Sequence, residues 1–317
     1  MRAPLPSPTA PAGTDLVLEA LDRAVAASEA GAPDRPVIVV PPETWRAVLA
    51  EHLPEVRSRL DRVLIGHDPE GGLDALLVCG ALDTLLPEVH ALVGFGDGEW
   101  RHKDVWKHTK QVVRQSVPRL EVRWASLLHD VGKVKTRSIS PSGEVHFFGH
   151  AEVGARMFDR LERRVGLFQR DVALRGTVRF LILHHLRANQ YDPSWTDSAV
   201  RRFAREMGES LDDLLCLSRA DITTKRPEKK RRGLEQISDL AERIRTLAEE
   251  DAKQPPLPTG LGNLLMKDLG IPPSPQVGVL MRGLTAAVEA GEIEPRLEPE
   301  AYVAFLRENA ARFGLPS

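Results

Sequence analysis

Seven of the ten histidines in this chain fall between His102 and His185, a clustering of imidazoles that suits metal coordination. His129 and Asp130 are adjacent near the end of a predicted helix. Helical neighbours diverge by roughly 100°, so one cation beside the helix can take both, and Gly132 is expected to end that helix. His129 continues the apolar stripe of Val122 and Ala125, which turns its imidazole inward, where it is costly unless hydrogen-bonded or metal-bound. His108 lies on the preceding predicted helix. Asp221 closes the run LLCLSRAD in line with Leu214 and Leu217. Both therefore point toward the core, and His108, His129, Asp130 and Asp221 can converge on one centre. Two imidazoles and two carboxylates suit one or two divalent ions from the set Mg, Mn, Fe, Zn, Co and Ni, without distinguishing among them.

A second ion could be held by His150, which opens a predicted helix, and by one of the pair His184-His185, with Asp130 bridging. His185 shares a face with Leu174, Val178 and Leu181, whereas His184 aligns with Thr177, so His185 is the inward candidate. His146, on a short strand, and His102, in a loop, read as solvated or hydrogen-bonded. Asp104, one turn before His108, is either a helix N-cap or a carboxylate orienting that imidazole. The metal set suits phosphoryl chemistry, with Asp130 orienting the attacking water. Lys133 and Arg137, and more weakly Arg187, are then placed by sequence to neutralise phosphate oxygens; otherwise they are surface charge. The run KRPEKKRRG from Lys225 holds six basic residues against one acid. It is either a local anion patch for RNA or a solvated linker without an interleaved aromatic. Trp106, Trp124 and Trp195 read as packing residues.

These residues must be positioned by helices. Apolar residues return at helical spacing over 103–116, 121–131, 150–165, 171–187, 196–207 and 211–221, with a hairpin around Pro141-Ser142-Gly143. Before this block, residues 1–14 are rich in Pro, Ala and Thr and expected to be disordered. An amphipathic helix follows, which Asp15 could cap and Gly31 end. Then come a short extended or strand-like run, PVIVV, and a small helical bundle from Pro42. The fold class is all-α: a helical bundle with a short β-hairpin, flanked by small helical modules. The expected organisation is a tail and helix over 1–37, a neck-like module over 38–95, the metal-bearing domain over 96–252 and a C-terminal module over 253–317. The 317 residues carry a net charge of −2, with 42% hydrophobic and 28% charged residues. That balance excludes a global excess of basic charge for gripping nucleic acid. No apolar run reaches the length needed to cross a bilayer, and a cytoplasmic location is expected. Cys79 and Cys216 sit in leucine-rich helical runs and read as buried thiols.

His108, the string HDVGK at 129–133 and Asp221 in SRAD resemble the H…HD…D signature of the HD superfamily. HKDVWKHTKQVV, LLHDVGKVKTR, EVHFFGHAEVGA, WTDSAVRRF and LLCLSRADITTKRPEKKRR are similar to the HD portion of bacterial CCA-adding enzymes and poly(A) polymerases. The flanks VRSRLDRVLI through LDTLLPEV and PPLPTGLGNLLMKDLGIPPSPQVGVLMRGL resemble their neck and C-terminal segments. The resemblance spans roughly residues 45–305. It departs from the family at the nucleotidyltransferase head: no Gly-Ser pair and no Asp-x-Asp occurs, and 44 residues precede the neck-like part. CCA addition by this sequence alone is therefore not expected. The resemblance implies metal-dependent hydrolysis of phosphate esters or diesters in nucleotides, 2′,3′-cyclic phosphates or RNA ends. Its alternative is a non-catalytic RNA- or nucleotide-binding remnant acting in tRNA processing beside a separate nucleotidyltransferase. A mixed-valence di-iron oxygenase would use the same six ligands.

Overall fold

In a computed structural model, residues 12–30, 38–96, 104–253 and 255–315 are described. Those residues form helices and one two-stranded sheet. Contacts group them into two compact units: the residues up to Tyr191 with Glu209–Ile237, and Asp192–Gly208 with the residues from Ser238 onward. This partition is coarser than the four modules expected from the sequence.

In the first unit, α1 (Ala12–Ala30) lays Val17, Ala20, Leu21, Ala24 and Val25 against α2 (Pro42–Ile65) and α3 (Pro69–Val78). The helix already begins at Ala12, so Asp15 sits in its first turn rather than at its cap, while Gly31 lies outside the described residues. Of the run PVIVV, Ile38–Val40 form no strand; Val40 instead donates its N–H to the carbonyl of Cys79 at 3.1 Å. The strings WRAVLAEHL and VRSRLDRVLI belong to one kinked helix. Pro54 removes a donor and crowds the preceding turn, leaving His52 at φ −121°, ψ 26°. Short helices α4 (Ala81–Leu85) and α5 (Pro87–His90) complete this part.

Around the site run α6 (Val105–Gln115), α7 (Leu120–Leu128), α8 (Lys133–Thr136), β1 (Ser138–Ile139), β2 (Val145–His146), α9 (His150–Val165) and α10 (Val172–His184). After α11 (Asp197–Met207) of the second unit come α12 (Leu211–Ala220) and the first part of α13 (Pro227–Lys253). The central element is α7, buried continuously from Val122 to Leu128 and packed on α2, α6, α10 and α12. Such all-round burial needs its polar members satisfied. Trp124 donates to Asp61 at 2.7 Å, and buried Arg123 donates to the carbonyls of Leu64, Ser116 and Val117. Burial pushes the Arg123 guanidinium down to about 10. The β1–β2 hairpin has register Ser138↔His146 and Ile139↔Val145, and Gly143 at φ 84° supplies the left-handed residue of its three-residue loop.

In the second unit, α14 (Leu261–Leu269), α15 (Pro275–Glu289) and α16 (Pro299–Glu308) enclose Leu261, Leu265, Leu280, Leu284 and Leu306. Buried Tyr302 donates its hydroxyl to the carbonyl of Glu294 at 2.9 Å. No helix of the described residues is long and apolar enough to cross a membrane.

Candidate metal centre

Six side chains meet in the first unit, brought by the ends of five helices. Asp104 caps α6 by accepting from the Lys107 N–H at 3.1 Å, which fixes the turn that carries His108. His150 is the first residue of α9. His129, His185 and Asp221 are the C-caps of α7, α10 and α12, and Asp130 follows His129 directly. Three helix C-termini therefore turn their partial negative charge toward one point, which favours a cation there. The close approach of α9 depends on Gly132. Its φ of −65° is ordinary, but a Cβ there would lie 2.0 Å from the carbonyl oxygen of His150. Gly132 thus serves packing rather than a left-handed helix stop, and α7 ends at Leu128.

His108 Nε2 stands 3.3 Å from His129 Nε2, 3.4 Å from Asp130 Oδ2 and 3.1 Å from Asp221 Oδ1. His129 Nε2 lies 3.2 Å from Asp130 Oδ2 and 3.6 Å from Asp221 Oδ1. On the other side, His150 Nε2 is 3.5 Å from Asp130 Oδ1 and 3.2 Å from His185 Nε2. The two oxygens of Asp130 thus face the two halves of the cluster. The donor atoms form two triads, His108, His129 and Asp221 and then Asp130, His150 and His185, each within 4.8 Å.

The imidazoles are oriented for coordination. Nδ1 of His129, His150 and His185 each donates at 2.8 Å to a carbonyl three residues earlier, on Ser126, Phe147 and Ile182. A carbonyl only accepts, so Nδ1 carries a proton in each ring and Nε2 is the nitrogen that faces the centre. His108 Nδ1 is held by Thr223 Oγ1 at 2.9 Å. Lone pairs of His150 and His185 at 3.2 Å repel unless a proton or cation lies between them, and four nitrogens with two carboxylates form the donor set of a borderline or hard divalent ion. The residues fit such an ion.

Charge in the cluster follows the same logic. Burial opposes a proton on His129, yet Asp130 and Asp221 raise it to about 10. Burial likewise opposes charge on the two carboxylates, but the histidines hold both well below the ordinary range. His185 is driven down to about 4 by burial and then by His129, and is neutral. At neutral pH the His129 proton therefore competes with a cation. Loading with a divalent ion is expected to release at least one proton, its dissociation constant rising about tenfold for each unit that pH falls below 10. Titration in weakly buffered solution with a pH indicator measures this; a pH-independent affinity would contradict it.

Among the other sequence candidates, His184 is half-buried against Phe180, ring centroids 4.3 Å apart. His146 lies on β2, and His102 falls outside the described residues. Asp104 is the α6 cap, and Thr223, not Asp104, orients His108. Lys133 is paired with Asp130 Oδ2 at 2.6 Å, Arg137 is exposed at the end of α8, and Arg187 is half-buried. Lys225–Arg232 lead into α13 almost wholly exposed, with Arg231 bridging Glu228 and Glu235. Trp106 and Trp124 are buried, whereas Trp195 is half-buried beside Phe203. Cys79 is buried, but Cys216 is half-buried and accepts from Arg119 at 3.0 Å, because its side of α12 is only partly covered. Thr223 carried no signal in the sequence beyond standing two residues after Asp221.

Residues 103–226 match the family model of the HD domain. The chain is related to tRNA nucleotidyltransferases over the portion that contains this domain. It is 33% identical over 255 residues to the A-adding tRNA nucleotidyltransferase of Deinococcus radiodurans, covering 78% of this chain and 57% of that protein. To the CC-adding tRNA nucleotidyltransferase of Thermus thermophilus it is 31% identical over 263 residues, 80% of this chain and 56% of that protein. The Multifunctional CCA protein of Ectopseudomonas mendocina is 33% identical over 160 residues, 48% of this chain and 38% of that protein. The chain thus spans about half the length of the first two relatives.

Proposed function

We propose that the chain is a cytoplasmic, metal-dependent phosphohydrolase acting on phosphate esters or diesters of nucleotides, 2′,3′-cyclic phosphates or RNA ends. The observation that carries this is the convergence of His108, His129, Asp130, Asp221, His150 and His185 with their imidazole Nδ1 atoms already tied down. One or two divalent ions held there would supply Lewis acidity at a phosphoryl oxygen and acidify water near neutral pH.

The chain's own groups do the rest. Asp130, 1% exposed, accepts a hydrogen bond from the attacking water and orients it. Lys133 holds an ammonium beside that carboxylate and neutralises phosphate oxygens as charge builds; Arg137 adds charge from the end of α8. The buried faces of His129 and His185 keep bulk water from the reacting atoms. Hydrolysis of bis-p-nitrophenyl phosphate and 2′,3′-cyclic AMP across added divalent ions tests this reading, and no hydrolysis in any ion would overturn it. Lys133→Met is expected to lower kcat/KM about a hundredfold while metal content stays constant. An unchanged rate would remove Lys133 from the chemistry.

A second reading is a non-catalytic RNA-binding protein of tRNA processing. The similarity to proteins named as tRNA nucleotidyltransferases, which runs beyond residues 103–226, favours it, as does the exposed basic run Lys225–Arg232. Tight tRNA binding without hydrolysis, lost on neutralising Lys229–Arg232, would select it.

A further inference from the structure

The segment that joins the hairpin to α9 carries an exposed aromatic side chain that the hydrolytic site does not use. Phe148 is 77% exposed, the highest value for a large hydrophobic side chain among the described residues. Phe147 directly follows β2, and Phe148 stands in the turn that leads into α9. Phe147 turns toward the protein, half-buried, with its ring 6.3 Å from that of Phe95 and the Lys133 ammonium 5.6 Å from its centroid. His146 and Phe148 turn the other way. Their rings are stacked, with centroids 5.0 Å apart and planes inclined by 14°. Glu144 Oε2 stands 3.9 Å from His146 Nε2, beyond hydrogen-bond reach.

A lone exposed apolar side chain is ordinary on a protein surface. A pre-stacked pair of flat rings at this place is a different feature. Phe148 is two residues before His150, so their Cα atoms lie within about 7 Å, and the intervening backbone is anchored by the Phe147 carbonyl that His150 Nδ1 donates to. The register Ser138↔His146 sets exposed Arg137 at the Phe147–Phe148 end of the hairpin, and Lys135 precedes it on α8. A flat exposed ring face two residues from His150, with exposed Arg137 and Lys135 in the adjoining segment, is complementary to a polyanion that carries flat rings.

We propose that His146 and Phe148 form a base-stacking platform that receives the nucleobase of a single-stranded RNA end whose phosphate lies at the metal centre. The placement of the phosphate rests on the phosphohydrolase reading; the stacking of the base does not. The platform would make the site prefer nucleotides and unpaired RNA ends over phosphate esters that lack a base.

The test is equilibrium fluorescence anisotropy of the full chain with a labelled oligoadenylate hexamer and an abasic ribose-phosphate hexamer of equal length. The wild type is expected to bind oligoadenylate about tenfold more tightly than the abasic oligomer. Phe148→Ala is expected to remove that difference without changing the abasic dissociation constant, and Phe148→Trp to keep it. Phe148 is 77% exposed, so neither variant disturbs the buried core. Equal binding of the two oligomers by the wild type would overturn the proposal and point to an apolar protein segment as the occupant. So would an unchanged oligoadenylate affinity in Phe148→Ala, or an equal loss for both oligomers. Hydrolysis of 2′,3′-cyclic AMP is read in parallel: base-dependent binding without hydrolysis supports the platform and overturns the phosphohydrolase reading alone.

Discussion

Asp130→Asn is expected to bind divalent ions at least about a hundredfold more weakly than the wild type and to lose hydrolysis. Removing a group that merely supports a metal ligand costs about ten- to a hundredfold in affinity, and Asp130 touches both halves of the cluster directly. Asparagine keeps one acceptor oxygen and nearly the same volume, so packing is spared. What disappears is the buried negative charge. Without it, His129 loses the stronger of the carboxylate interactions that sustain its proton, and Lys133 loses the partner at 2.6 Å. Isothermal titration with Mn2+ measures the loss. Asp104→Asn, which changes only the α6 cap, serves as the control and is expected to leave metal affinity unchanged. Equal affinities of wild type and Asp130→Asn would remove Asp130 from the metal set.

Gly132→Ala is expected to destabilise the protein by about 3 kcal/mol or more, the upper end of what overpacking costs. Backbone conformation is not the reason, since φ at −65° suits alanine. The added Cβ would lie 2.0 Å from the His150 carbonyl oxygen and 2.8 Å from the Gly154 N–H nitrogen, both of them backbone atoms of α9 that cannot rotate away. Relief requires α9 to move, and His150 moves with it. Thermal unfolding should show a lowered midpoint together with weakened binding in the His150–His185 half of the cluster. Gly176→Ala on α10 is the counter-case: no atom lies within 4 Å of its Cβ, and about 1 kcal/mol of stabilisation is expected from helix propensity. Unchanged stability in Gly132→Ala would mean that α9 is not held against the HDVG turn.

Helical periodicity makes much of the architecture legible in the sequence. α9 covers residues 150–165, the predicted span, because its apolar stripe runs from a preceding glycine turn to a glycine stop. The expected helix over 121–131 ends three residues early: His129 keeps helical dihedrals as the C-cap, and the chain passes through a turn over residues 129–132 into α8. Pro54 marks a kink rather than a break between helices, a distinction that depends on packing around α2 and not on local propensity. Apolar stripes also brought out His129 and His185, whose imidazoles take positions that leucine would otherwise fill. The parts that orient them were invisible, because the carbonyls of Ser126, Phe147 and Ile182 belong to the backbone and carry no residue-specific signal. Lys133 read as a phosphate-facing cation, yet its i,i+3 spacing from Asp130 already allowed the ion pair that the structure contains. Phe148 escaped notice because nothing in the string EVHFFGH tells the two rings apart; only the fold packs Phe147 near Phe95 and leaves Phe148 exposed in the turn before α9.

The most direct measurement strips the protein with a chelator and follows 2′,3′-cyclic AMP hydrolysis as divalent ions are added back to wild type and Asp130→Asn. A metal-dependent phosphohydrolase centre formed by His108, His129, Asp130, Asp221, His150 and His185 requires that the stripped wild type be inactive. At least one ion should restore it, while Asp130→Asn stays inactive in all of them. Hydrolysis that survives stripping, or that Asp130→Asn matches in every ion, would contradict the account.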